Sequence, residues 1–173
     1  MSSVLASRRF FAAAMLTLTG FFSPSLMALE PGDLAPDFTL PSIHEDGTSI
    51  SLADFRGKAV YVDFWASWCA PCLRSLPLIN ELYARYREQG LEVIAINVDN
   101  RIEDGQDFLL DIDLDYLIPI DADNEVLQAY EVMGMPTSFL VDPEGIIRKV
   151  HIGFREGDIG QIESAIKAVL PDQ

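Results

Sequence analysis

The chain has 173 residues, enough for one domain with a sizeable core, and its 27 acidic and 12 basic residues give a net charge of −15. Such an acidic chain is neither a nucleic-acid binder nor a protein drawn to anionic lipid. We interpret the charge as a contribution to solubility.

The N-terminus has the layout of a secretory signal. Arg8 and Arg9 precede an apolar run over residues 10–22, and Ala28 supplies a small residue at which a signal peptidase could cut. The run is shorter than the roughly 20 residues that a membrane span needs, which favours a cleaved signal over an uncleaved anchor. We therefore predict a signal peptide over residues 1–28.

Residues 7–11 also resemble a twin-arginine motif, so both the general and the twin-arginine export route stay open. Removal of the signal leaves one predicted domain over residues 29–173. The expected location of this domain is the periplasm.

Hydrophobic patterning predicts an α/β domain. Strand-like pieces at residues 38–40 and 48–52 flank a turn and predict a hairpin. Further strands are predicted at residues 59–64, 91–98, 116–120, 138–141 and 146–152, and helices at 69–89 (kinked at Pro77), 102–111, 125–131 and 158–170. Strand–helix–strand units followed by a hairpin indicate a mixed sheet flanked by helices.

Both cysteines, Cys69 and Cys72, lie where a buried strand runs into a helix. The helix N-terminus favours Cys69 as a thiolate, and i,i+3 spacing brings Cys72 onto the same face. A disulfide at this spacing closes almost no loop, so its value is chemical and not mechanical. We predict a redox dithiol in which Cys69 is the nucleophile and Cys72 the resolving cysteine, with no cofactor beyond their disulfide.

No metal site is predicted. A zinc site would need more ligands than two cysteines, and the histidines His44 and His151 are far apart in sequence. The acidic stretch over residues 111–123 lacks the glycine and glutamate that an EF-hand loop requires.

Two further positions stand out, each with an alternative that the residues leave open. Asp63 is a carboxylate inside an apolar strand, where burial raises a pKa and would let it accept the proton that Cys72 loses. It could equally cap a loop or pair with a lysine. Met135-Pro136-Thr137 precedes a strand, and Pro136 follows either a cis or a trans peptide bond.

Two tryptophans flank the dithiol turn. Trp68 is predicted to shield Cys69 and to offer an apolar landing surface to a substrate. Trp65 is predicted to fill the core.

The order of these motifs resembles a known family. Residues 62–72 resemble the active-site strand and turn of thioredoxin, and residues 134–145 resemble the cis-proline segment of its exported branch. Residues 32–40 with 55–58 resemble the N-terminal extension shared by peroxiredoxins and TlpA/ResA/CcmG (DsbE)-type proteins. The chain is thus similar to exported thiol–disulfide oxidoreductases of the redoxin/AhpC-TSA superfamily along nearly its whole predicted domain.

The resemblance implies a thioredoxin fold with an N-terminal hairpin and a central αβ insertion at about residues 100–130. It implies that Cys69 attacks, that Cys72 resolves and that Asp63 is the buried carboxylate of thioredoxin. It also implies a cis Pro136 and a Met135 backbone that pairs with substrate. The implied substrate-contacting residues are Trp68, Ala70, Pro71, Met135 and Thr137.

The resemblance also implies a function. Family members usually act as reductants of protein disulfides outside the cytoplasm, often of apocytochrome c, with electrons from a membrane thiol carrier. We expect this chain to be a monomer. ResA- and TlpA-type members often hold a glutamate three residues after the second cysteine, where this chain has Ser75. This departure weakens an assignment to cytochrome maturation and leaves thiol–disulfide exchange intact.

Two other functions are weighed. A thiol peroxidase would need threonine and proline where this chain has Ala66 and Val62. A copper or haem carrier for cytochrome assembly could use the dithiol with Met133 and Met135 as Cu(I) ligands. The redox direction stays open at this stage.

Overall fold

The computed structural model describes residues 28–171, so the predicted signal peptide lies outside the described residues except for Ala28. The central sheet has four strands in the order β4-β3-β5-β6. Strand β4 is parallel to β3, whereas β5 and β6 are antiparallel to their neighbours. The strands are β3 (Ala59–Trp65), β4 (Leu91–Asn97), β5 (Thr137–Val141) and β6 (Ile147–Ile152). The predicted mixed sheet is confirmed.

Strand β3 forms the middle of the molecule, and each of its residues is buried. Side chains alternate between the two faces of a strand, so Tyr61 and Asp63 point to one face and Phe64 to the other. Burial on both faces explains why this stretch is an almost unbroken apolar run.

One face of the sheet carries the helices α1 (Ala70–Tyr86) and α4 (Ile159–Val169). The two helices are joined where Arg85 of α1 forms a 3.0 Å ion pair with Glu163 of α4. Leu76 of α1 is fully buried. Helix α1 continues as one helix through Pro77, whose ring is exposed.

The opposite face is closed by an aromatic cluster that joins the two additions to the sheet. Phe64 and Phe139 meet Tyr130, with ring centroids 5.3 and 5.0 Å away, and Phe38 completes the cluster at 6.3 Å from Tyr130. Phe38 belongs to the N-terminal extension and Tyr130 to the insertion. Both additions are therefore anchored in the core and not appended to the surface.

The extension contains the predicted hairpin, in which β1 (Thr39–Pro41) pairs antiparallel with β2 (Ser49–Ser51). The insertion contains α2 (Ile102–Leu109) and α3 (Glu125–Ala129). Helix α3 ends two residues before the predicted end, because Glu131 adopts a left-handed backbone with φ of 52°.

The prediction of a regular strand over residues 116–120 is wrong. This segment runs beside β4 and forms only isolated bridges: two parallel ones to β4, Ile94 to Leu117 and Asn97 to Ile120, and an antiparallel one from Pro119 to Ser42. Pro119 lies within it and has no N–H to donate, which prevents a continuous ladder. Within residues 28–171, no helix is both long and apolar enough to cross a membrane.

Candidate active site

Cys69 and Cys72 are joined by a disulfide at the N-terminus of α1. Cys69 is the N-cap residue, and its sulfur accepts the Cys72 backbone N–H at 3.3 Å. Cys69 retains 5% of its surface and Cys72 none, so no part of Cys72 is open to solvent. An attacking substrate can therefore reach Cys69 but not Cys72.

The local sequence explains this placement. Strand β3 ends at Trp65, and a tight turn follows in which the Cys69 N–H donates to the Ala66 carbonyl at 3.0 Å. Pro71 lies in the first turn of α1, where a helix needs no N–H donor. The turn leaves Ala70 exposed and Pro71 partly exposed beside the disulfide.

Asp63 is 2% exposed and lies on the face of β3 that α1 covers. Burial raises the pKa of its carboxyl to about 7, and interaction with the Ser138 hydroxyl partly offsets the rise. Among the described residues no lysine or arginine nitrogen lies within ion-pair distance of Asp63. Asp63 can therefore exchange a proton near neutral pH.

The surroundings of Asp63 are hydroxyl groups. Tyr61 and Ser138 share a 2.6 Å hydrogen bond, and the Tyr116 hydroxyl donates to the Leu76 carbonyl of α1 at 3.2 Å. Burial raises the pKa of both tyrosines, and the nearby Asp63 charge raises it further. Tyr116 thus connects the surroundings of Asp63 to the active-site helix.

The Met135–Pro136 peptide bond is cis, which resolves the alternative that the sequence left open. Strand β5 begins at Thr137, which is paired with Phe64, so the antiparallel register brings Pro136 to the same edge of the sheet as the dithiol turn. The Pro136 carbonyl accepts the Gly153 N–H at 2.7 Å.

The other predicted substrate contacts differ in exposure. Trp68 is 69% exposed, and Met135 is half-buried at the same edge. Thr137 is buried, and its hydroxyl donates to the Gly134 carbonyl at 2.6 Å. This hydrogen bond closes the loop over residues 134–137 that holds Pro136, which we call the proline loop. The Thr137 side chain therefore adds nothing to the exposed apolar surface.

Trp65 is fully buried, as predicted, and its indole N–H donates to the Ala95 carbonyl at 3.2 Å. Ser75 is also buried, and its hydroxyl turns back to the Cys72 carbonyl at 2.9 Å. The position where ResA- and TlpA-type relatives often hold a glutamate thus contributes no charge here.

Sequence reasoning missed the polar residues that surround the dithiol from other strands. Ser138 lies opposite Asp63 in the β3–β5 pair, and Asp99 accepts hydrogen bonds from Ser67 in the dithiol turn. The only signal for Asp99 was its place directly after a buried strand. Among the described residues, no cluster of three or more His, Cys, Asp or Glu side chains could hold a metal ion.

Comparisons with known proteins agree with this geometry. Residues 31–150 match the AhpC/TSA family. The thiol-disulfide oxidoreductase ResA of Geobacillus thermodenitrificans is 38% identical over 157 residues, which cover 90% of this chain and 89% of the relative. ResA of Bacillus cereus is 36% identical over 152 residues, 88% of this chain and 85% of the relative.

A crystal structure from Chlorobium tepidum, assigned as the thiol:disulfide interchange protein DsbE, superimposes with a TM-score of 0.79 at 40% identity. It covers 82% of this chain and 99% of that protein. The predicted fold, with its mixed sheet and C-x-x-C redox centre, is therefore confirmed. The chain belongs to the AhpC/TSA family and is a thiol–disulfide oxidoreductase with the thioredoxin fold.

Proposed function

We propose that this oxidoreductase is an exported reductant of protein disulfides. The observation that carries the proposal is the dithiol at the start of α1 with the buried Asp63 carboxyl beneath it, whose pKa is raised to about 7. A dithiol that donates electrons must release a proton from its buried sulfur, and Asp63 is a group that can take it.

In the proposed reaction the reduced protein acts in two steps. The Cys69 thiolate attacks one sulfur of the substrate disulfide, forming a mixed disulfide and releasing the other substrate sulfur as a thiolate. Cys72 then transfers its proton to Asp63 and attacks the Cys69 sulfur, which frees the second substrate thiolate. Two electrons pass to the substrate, its two sulfurs take up two protons, and the protein is left with the Cys69–Cys72 disulfide.

The substrate is proposed to bind as an extended segment beside the proline loop. In the described part of the chain, neither the N–H nor the carbonyl of Met135 has a backbone partner. These free groups suit the addition of a short strand, and the exposed Trp68 offers an apolar surface next to Cys69. Ala70 and Pro71 would border the same surface.

The partners and the location form part of the proposal. We infer that the protein is periplasmic, because the N-terminal residues have the layout of an export signal. We further propose that it acts as a monomer and that a membrane thiol carrier reduces it. The proposed substrates are protein disulfides, and an apocytochrome c with oxidised haem-binding cysteines belongs to this class. This protein has Ser75 where ResA- and TlpA-type relatives often hold a glutamate, which weakens the case for this particular substrate.

Reduction of insulin with dithiothreitol as the electron source tests the proposal. The wild type should accelerate insulin precipitation, and Cys69→Ser should abolish the acceleration. Cys72→Ser should retain the first step and accumulate a mixed disulfide that gel electrophoresis without reductant detects. Full insulin reduction by Cys69→Ser would contradict the mechanism.

The direction of electron flow is tested by the reduction potential measured against glutathione. A potential near that of thioredoxin, about −270 mV, supports the reductant. A potential near that of DsbA, about −120 mV, makes the protein an oxidant and overturns the proposed direction.

The copper or haem carrier remains a second candidate because Met133 is 96% exposed and lies three residues before the cis Pro136. Tight Cu(I) binding by the reduced protein, together with absence of insulin reduction, would favour the carrier. Rapid consumption of peroxide would instead favour the thiol peroxidase.

A further inference from the structure

Asp99, two residues beyond β4, is a buried carboxylate that holds the turn bearing the dithiol. Only 1% of its surface is exposed. It accepts the Ser67 backbone N–H at 3.0 Å, the Ser67 hydroxyl at 3.1 Å and the Asn97 side-chain amide at 2.8 Å. All three donors are neutral, so these hydrogen bonds hold the carboxylate in place without cancelling its charge.

The contact lies at the base of the reactive turn. Ser67 is two residues before Cys69, and the turn between them is closed by the Cys69 N–H to Ala66 hydrogen bond. The Val98 N–H donates to the Trp65 carbonyl at 2.9 Å, so pairing between the ends of β3 and β4 continues up to Asp99. Asp99 therefore determines where the chain segment that carries Cys69 is held.

No cation compensates the Asp99 charge in the described part of the chain. None of its lysine, arginine or histidine nitrogens lies within 4.0 Å of this carboxylate. Arg101 is close in sequence, but its side chain is 71% exposed and lies 3.6 Å from Glu103. On β3 and the first two turns of α1, the other charged groups are Asp63 and Arg74, whose side chain is exposed.

The Asp99 carboxylate is close enough to act on the Cys69 sulfur. Two residues extend the chain by at most about 7 Å, which places the carboxylate on the order of 10 Å from that sulfur. At about 10 Å, with an effective dielectric constant of about 20, a unit charge changes a pKa by about one unit.

We propose that Asp99 is a positioning residue for Cys69: it fixes the dithiol turn through Ser67, and its negative charge disfavours the Cys69 thiolate, which makes the dithiol a stronger reductant. The sign follows from the redox couple. A group that destabilises the thiolate destabilises the reduced protein relative to the disulfide and lowers the reduction potential. The inference deepens the proposed function, because it rests on Cys69 as the nucleophile of a reducing dithiol.

Asp99→Asn tests the charge, because asparagine keeps the side-chain shape and one acceptor oxygen for Ser67. The pKa of Cys69, read from thiolate absorbance near 240 nm in the reduced protein, should fall by about one unit. The potential measured against glutathione should become more oxidising.

Asp142→Asn is the matched control. Asp142 is 5% exposed and also holds a turn, accepting the Glu144 and Ile146 backbone N–H groups. It follows β5 at the end of the sheet away from the dithiol. This variant should leave both the Cys69 pKa and the potential at their wild-type values.

Ser67→Ala separates positioning from charge, because it removes one hydrogen bond and keeps the Asp99 carboxylate. Insulin reduction should slow by about fivefold, the factor expected for one ordinary hydrogen bond. The potential should not become more oxidising, and Ser67→Thr, which retains the hydroxyl, should restore the rate.

If loosening of the turn were the only effect, the reduction potentials of Asp99→Asn and Ser67→Ala would shift in the same direction. That result would overturn the role of the Asp99 charge. Wild-type values of both pKa and potential in Asp99→Asn would overturn the role of the charge. A wild-type insulin rate in Ser67→Ala would overturn the positioning role, and it can be measured even if Asp99→Asn does not fold. The pKa and potential need no substrate, so their outcome is independent of whether insulin is reduced.

Discussion

The buried carboxyl group of Asp63 should make the protein less stable as the pH rises. Burial raises the pKa of this group from 3.8 to about 7. Each unit of pKa difference corresponds to about 1.36 kcal/mol, so charging Asp63 in the folded protein costs about 4 kcal/mol relative to the unfolded chain. This cost is a large share of the stability of an ordinary domain.

Between pH 3.8 and about 7 the folded protein binds a proton at Asp63 that the unfolded chain has lost. The contribution of Asp63 therefore becomes steadily less favourable across this window and stays constant above it. Asparagine has the same shape and never ionises. We expect Asp63→Asn to match the wild type near pH 4 and to be more stable by up to about 4 kcal/mol at pH 8.

Urea unfolding of the oxidised proteins at pH values from 4 to 8.5 measures this difference. Asp142→Asn is a control with the opposite sign. Burial acts to raise the pKa of Asp142, but the Ile146 N–H and the Arg148 guanidinium outweigh burial and leave the pKa below its usual range. Asp142→Asn should therefore be less stable than the wild type at pH 7, and the loss should shrink as the pH falls.

Asp63→Asn should also impair the reaction. Without a proton acceptor beneath it, Cys72 should resolve mixed disulfides more slowly, by about 10²-fold or more. A stability difference between Asp63→Asn and the wild type that does not change with pH would refute the raised pKa. Loss of stability in Asp63→Asn throughout the pH range would refute the cost of charging the buried group.

Three further variants follow from the same contacts. Ser138→Ala should raise the pKa of Asp63 further, because it removes the hydroxyl that offsets burial, and the midpoint of the pH-dependent stability should move upward. Leu76→Ala should cost about 2–5 kcal/mol in urea unfolding, since this side chain is fully buried. Trp68→Ala should leave unfolding within about 0.5 kcal/mol of the wild type, because the ring is 69% exposed. It should nevertheless raise KM for insulin; an unchanged KM would argue against Trp68 as a substrate contact.

Much of the fold was predictable because its signals are local. The apolar run of β3, interrupted only by Asp63, required a strand covered on both faces, and the polar and apolar spacing of α1 required an amphipathic helix. The segment over residues 116–120 was mispredicted because one residue, Pro119, cannot donate to a ladder. Its extended pattern was visible in the sequence, but its pairing depended on where β4 lies.

The sequence by itself determined the dithiol. Two cysteines separated by two residues at a strand-to-helix boundary already imply a reactive first sulfur and a resolving second one, because the helix N-terminus acts on whatever residue begins it.

Only the tertiary structure decided what surrounds the dithiol. The cis bond before Pro136 was one of two open possibilities, and the sheet register brings it beside the turn. Ser138 on β5 and Asp99 just after β4 are far from the dithiol in the chain, and their roles depend on their contacts with Asp63 and Ser67. Charge and burial act through space, so the groups that adjust Cys69 and Asp63 could be identified only once the strands were placed side by side.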